Sequence, residues 1–207
     1  MSALPVLLIA ATFTWLLSLP LRNVSIVDSL RSLMLFAAGV IYGLGADPRA
    51  PRLAFVLWLL ALWAARQSIH LTARGMGKGE DARYQAVRAR HEPHFRWKSL
   101  YLVFWLQAVA VWIVSLPLLG VFASNAPLGI LDYLGVLLWL TGFVFEAGLW
   151  RYTRFPNYFG SLCVWWGFWC MAASAGAWWS VLGPALLTWL VLAMWAANGR
   201  RNMPTTS

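Results

Sequence analysis

The sequence predicts an all-α protein, a polytopic bundle of about seven transmembrane helices, and three observations carry that expectation. Hydrophobic residues make up 61% of the 207 and charged residues only 11%, against roughly 45–50% and about 25% in an ordinary soluble domain. Several uninterrupted apolar stretches approach the roughly 20 residues that a helix needs to cross the hydrocarbon layer. The basic residues, finally, gather in alternate connections between those stretches.

Seven spans follow in order: Ala3 to Leu21, Val27 to Leu44, Leu53 to Leu71, Leu100 to Phe122, Ile130 to Glu146, Tyr158 to Ala173 and Trp178 to Ala197. No Lys or Arg precedes the first, whereas a secretory signal wants a positively charged start, so it counts as a span. The second opens on the polar run "NVSIVDSLRS". Cys163 and Cys170 share one face of the sixth, with no paired spacing of a metal site or disulfide framework, and read as buried free thiols.

Every basic residue except Arg49 and Arg52 belongs to the first, third or fifth connection or to the tail. Loops that stay in the cytoplasm carry the Lys and Arg excess, which predicts an outside N-terminus and a cytoplasmic C-terminus. The net charge of +9 and the pI near 10.4 then belong to basic loops facing an anionic leaflet, not to a nucleic-acid partner. Trp178 and Trp179 suit an outer interfacial belt and Trp97 and Trp150 an inner one, while Trp165, Trp166 and Trp169 lie deeper.

One long polar segment interrupts this pattern, "TARGMGKGEDARYQAVRARHEPHFRWK", Thr72 to Lys98. Its middle, Glu80 to Arg90, starts on acids and ends on arginines, as the helix dipole favours, and predicts a short cytoplasmic helix. "GMGKGE" mimics the glycine spacing of a dinucleotide fingerprint but lacks the strand and helix that give it meaning, so it reads as a flexible turn. "HEPH" holds two histidines around a proline with no third ligand, and no metal site is expected.

Polar groups beside a bilayer core are costly and invite functional readings. Ser25, Asp28 and Ser32 recur at helical spacing at the start of the second span, either as a polar stripe facing protein or as an interfacial Asp28 paired with Arg31 or Arg22. Arg66, His70 and Arg74 follow at i, i+4 and i+8 at the end of the third, with Gln67 one residue round. Guanidinium forks match phosphate, although a snorkelling inner rim would use the same residues. "LWRYTRFPNYFG", Leu149 to Gly160, places Arg151, Arg154, Asn157 and Tyr158 between two apolar runs, and Pro156 sets the start of the next helix near an anion-favouring N-terminus.

Those residues carry a family resemblance. "LWRYTRFPNYFG" resembles the "LWRYTRHPNYFG" signature of a bacterial family of uncharacterised polytopic proteins related to steroid 5α-reductases and, more distantly, to isoprenylcysteine methyltransferases. "RNVSIVDSL", "GKGEDARYQAVR", "WIVSLPL" and "NYFGSLCVWWGFW" resemble it too, in order, so the likeness covers most of a single domain. It implies a membrane reductase that takes hydride from NADPH and saturates a double bond conjugated to a carbonyl in a steroid-like or isoprenoid lipid drawn from the bilayer. By the resemblance Arg151, Tyr152, Arg154, Asn157 and Tyr158 help to hold the cofactor from the cytoplasmic side. Arg66, His70 and Arg74 could share its phosphates. Asp28 and Tyr42 are the candidates for polarising the carbonyl or supplying a proton.

Three departures from the family pattern bear on this. Phe155 stands where the family has histidine. Glu146 runs almost at once into Gly148 and Trp150, where relatives insert a cytoplasmic segment. The sequence also stops after "NGRRNMPTTS", where relatives continue. Two further readings follow: an enzyme of the S-adenosylmethionine-dependent methyltransferase type, or a non-enzymatic shortened paralogue that binds lipid or a partner through a Trp-rich surface.

Overall fold

A computed structural model of the chain describes residues 2–21, 26–75, 82–91, 93–148 and 156–201. Every regular element among them is helical. The order is α1 (Leu4–Leu21), α2 (Ile26–Leu44), α3 (Leu53–Gly75), α4 (Ala82–His91), α5 (Phe95–Ser99), a π-helical segment (Leu100–Trp105), α6 (Leu106–Val114), α7 (Leu116–Phe122), α8 (Ile130–Gly148), α9 (Pro156–Ser174), a 3₁₀ turn (Trp178–Val181) and α10 (Leu182–Arg201). Each predicted apolar segment is thus helical, and the predicted polar helix is α4. By length and composition three segments among the described residues can cross a membrane, Leu53–Arg74, Trp97–Phe122 and Trp178–Ala196, as expected of a membrane protein. Leu4–Pro20 and Leu30–Leu44 are shorter apolar helices.

The fourth expected span is not one uniform helix. It starts with six residues of π-helix and breaks at Ser115, where the Ser115 hydroxyl donates to the Trp112 carbonyl at 2.7 Å. Pro117, in the first turn of α7, has no N–H to continue the ladder, which is why the helix restarts there. The chain divides at this point into two compact units, Met1–Ser115 and Leu116–Ser207.

In the first unit α2 and α3 form an antiparallel hairpin. Gly43 lets the helices close at the turn, since a Cβ there would stand 3.2 Å from Leu53 and 3.3 Å from Leu57. The connection is held by backbone bonds from Gly45 N to Tyr42 O, Ala46 N to Gly43 O and Ala50 N to Asp47 O. α1 satisfies its hydroxyls internally, Thr12 to Leu8 O, Thr14 to Ala10 O and Ser18 to Trp15 O, as polar groups in an apolar helix must.

In the second unit α8 and α9 pack against each other more extensively than any other pair of helices. Reciprocal glycines make this possible. A Cβ on Gly142 would lie 2.5 Å from the Gly160 carbonyl oxygen, and one on Gly135 or on Gly167 would lie 2.7 Å from the other's carbonyl oxygen. Small residues at the seam let the two helix backbones approach this closely, where any larger side chain would meet backbone atoms of the partner. Trp139 is fully buried beside the seam and stacks on Phe143 at 5.0 Å. After α9 the chain reverses at Gly176, whose φ of 89° is a left-handed conformation suited to glycine.

Candidate functional site

α2 begins, and α3 ends, at one end of the hairpin, and most of the described candidate residues collect there. Asp28 lies in the first turn of α2 and is half-buried. The hydroxyl of Tyr84, on α4, donates to an Asp28 carboxylate oxygen at 3.0 Å. Ser32, one turn further, is 2% exposed, so the part of the polar stripe that the structure describes faces protein. Asp28 has a protein partner from the polar segment, and that segment folds back on the hairpin through it.

Arg66, His70 and Arg74 rise along α3 at successive turns toward the same end. Arg66 and His70 are half-buried and Arg74 is exposed. Gln67 is buried, and its amide oxygen has no hydrogen-bond partner among the described residues. The row therefore offers two guanidinium groups and an imidazole as donors, with a spare acceptor beside them.

Tyr42 is elsewhere. It stands near the other end of α2, about 21 Å of helix from Asp28, so one carbonyl oxygen cannot reach both. Its buried hydroxyl lies 3.2 Å from Ser115 Oγ. Because the Ser115 hydrogen is directed at the Trp112 carbonyl, Tyr42 is the donor in that pair.

Of the Leu149 to Gly160 stretch, Arg151, Tyr152, Arg154 and Phe155 lie outside the described residues, as does Ser25 at the start of the second span. Asn157 and Tyr158 fall in the first turn of α9, with Tyr158 exposed. No group of three or more metal-ligating side chains occurs among the described residues.

Three polar groups stand out that the sequence reading did not single out. Tyr84 is one, signalled only by being the lone aromatic of a polar helix. Glu146, near the end of α8, is fully buried and accepts a bond from the Ser161 hydroxyl of α9. Asp132 is 2% exposed and accepts from Ser174 and, at 2.8 Å, from the Gly129 N–H, which closes the start of α8. Both carboxylates sit where α8 meets α9, a pairing that hydropathy along the chain does not reveal.

No curated protein and no solved structure matches the chain. A family model matches residues 14–148 and 146–200, two segments that meet at 146–148 and together take in most of the sequence. The chain therefore belongs to the family described as "Protein of unknown function (DUF1295)".

Proposed function

We propose that this chain is a membrane-embedded reductase that saturates a carbonyl-conjugated carbon–carbon double bond in a steroid-like or isoprenoid lipid, using NADPH. The observation that carries the reading is the Tyr84–Asp28 hydrogen bond at the end of the hairpin where the Arg66, His70 and Arg74 row also rises. The donor set suits the cofactor: guanidinium forks and an imidazole are phosphate donors, and the Gln67 amide oxygen is an acceptor left over for a bound group. NADPH supplies the hydride when bound.

The chain's own groups supply the proton. The Tyr84 phenol, held against the Asp28 carboxylate, carries a proton that it can present to a carbonyl. Asp28, acting through Tyr84, suits that role better than Tyr42, whose hydroxyl is engaged with Ser115. In the first unit Arg66, His70 and Arg74 are the proposed phosphate donors, while Arg151, Tyr152, Arg154, Asn157 and Tyr158 carry a cofactor role by the family resemblance alone. In the proposed seven-span arrangement, with an outside N-terminus, the connections that carry these residues are cytoplasmic, where NADPH is available, and the lipid arrives laterally from the bilayer.

Two observations favour a second reading, a cofactor-free paralogue that binds lipid or a partner. Only residues 149–155 separate α8 from α9, and Phe155 takes the place of the family's histidine. Melting curves in nanodiscs decide between the two. A cofactor at about 100 times its Kd stabilises a protein by about 2.7 kcal/mol, so NADPH should raise the melting temperature, and Arg66→Ala or Arg154→Ala should remove the rise. An unaltered curve at millimolar NADPH overturns the reductase reading, and protection by S-adenosylmethionine in its place points to methyl transfer.

A further inference from the structure

An apolar groove of about 430 Å³ runs along the first unit, lined by Leu8, Ile9, Thr12, Phe13, Leu16 and Trp105. The groove is open along its length rather than enclosed. Its polar groups are already engaged: the Trp105 indole N–H donates to Thr12 Oγ1 at 3.1 Å, and the Thr12 hydroxyl donates to the Leu8 carbonyl at 2.8 Å. What the groove presents is therefore hydrocarbon. From Leu8 to Leu16 it spans about 12 Å of helix, close to the ~15 Å depth of one leaflet.

The end of the groove at Leu16 has a different character. Trp15 meets Trp97 at 5.6 Å between ring centroids, which brings α5 beside the last turns of α1. Trp97 is 66% exposed, and Tyr101 and Trp105 continue an exposed aromatic row from it toward the groove. Exposed indoles favour the headgroup level. Residues 82–98 hold five Arg and Lys against one acid. Of these, Lys98 adjoins Trp97, and the Arg88 guanidinium lies 4.7 Å from the Phe95 ring centroid, which fixes it against α5.

We propose that this face is a binding site for one anionic phospholipid, its acyl chain in the groove of α1 and Trp105 and its phosphate at the level of Trp97, Lys98 and Arg88. Charge selects the class. Each Lys or Arg near an anionic headgroup contributes about 1 kcal/mol, so Arg88 and Lys98 together favour an anionic over a zwitterionic lipid by roughly tenfold or more. Trp105, the last residue of the π-helical segment, bonds across to Thr12 on α1, and such segments are frequent at functional sites. The inference does not depend on the reductase reading, since it uses neither the Leu149 to Gly160 stretch nor the Arg66 row.

Native mass spectrometry of the full chain tests it, with detergent-solubilised protein exposed to phosphatidylglycerol and phosphatidylcholine of identical chains in equal amounts. One phosphatidylglycerol should be retained in preference by roughly tenfold. Arg88→Gln with Lys98→Gln should keep one bound lipid but bring the preference within about twofold. Ile9→Trp, at a position 70% exposed and so tolerant of the larger ring, should fill the groove and lose both lipids. Melting temperatures of the variants in detergent, unchanged from the wild type, show that they are folded. Equal retention of the two lipids by the wild type, or phosphatidylglycerol retained by Ile9→Trp as well as by the wild type, overturns the proposal.

Discussion

Tyr84 donates its phenolic hydrogen to Asp28 at 3.0 Å, joining α4 to the first turn of α2. A helix whose residues are mostly polar has little reason to lie against an apolar hairpin. Tyr84, buried while Gln85, Ala86, Ala89 and Arg90 are exposed, is the contact that gives it one.

Tyr84→Phe keeps the ring and removes the bond. A hydrogen bond to a charged group contributes about 1.5–3 kcal/mol, so the variant should melt earlier in detergent. Because α4 is then less firmly held, trypsin should cut at Arg88 and Arg90 faster than in the wild type. A digestion rate equal to the wild type's would show that α4 is anchored by something else.

The α8–α9 seam makes a sharper prediction. Gly142→Val puts a branched side chain where even a Cβ would stand 2.5 Å from the Gly160 carbonyl and 2.8 Å from the backbone of Val164. Backbone cannot move aside as a side chain can, so the loss should reach or exceed the ~1–3 kcal/mol of ordinary overpacking. Gly45→Ala is the control, because its nearest contact would be an ordinary 3.6 Å. Thermal unfolding of both in the same detergent compares them, and Gly45→Ala should fall within about 0.5 kcal/mol of the wild type.

Glu146 and Ser161 make a third case. The carboxylate is fully buried, so a lost donor is not replaced by solvent. Ser161→Ala should cost about 1–3 kcal/mol, the desolvation cost of an acceptor deprived of a partner. Thermal unfolding measures that cost, and an unshifted melting temperature would mean that the remaining partners of Glu146 suffice.

Tyr42→Phe should behave more mildly. Ser115 keeps its bond to the Trp112 carbonyl, and the pair loses only the Tyr42 donor, a neutral bond contributing about 0.5–1.5 kcal/mol. A larger loss by denaturation would give Tyr42 a role beyond this contact.

Much of the architecture is legible in the sequence. Helix positions follow from apolar run length, because a chain in lipid must satisfy its backbone internally and a helix does so within one segment. The break at Ser115 is less so. Mean hydropathy predicts one span through it, because Ser and Pro barely alter that average, although Pro117 changes which backbone bonds can form.

The candidate site divides in the same way. Asp28, Arg66, His70 and Arg74 could be named from spacing along single helices, since i, i+4 neighbours share a face whatever the helix packs against. Which of them come together could not. The meeting of Asp28 with Tyr84, 56 residues later, the separation of Asp28 from Tyr42, and the burial of Glu146 against Ser161 depend on how helices pair. Local sequence states how strongly a segment prefers to be helical and apolar. Helix pairing is decided by side chains and glycines meeting from distant segments, and that information exists only once the chain has folded.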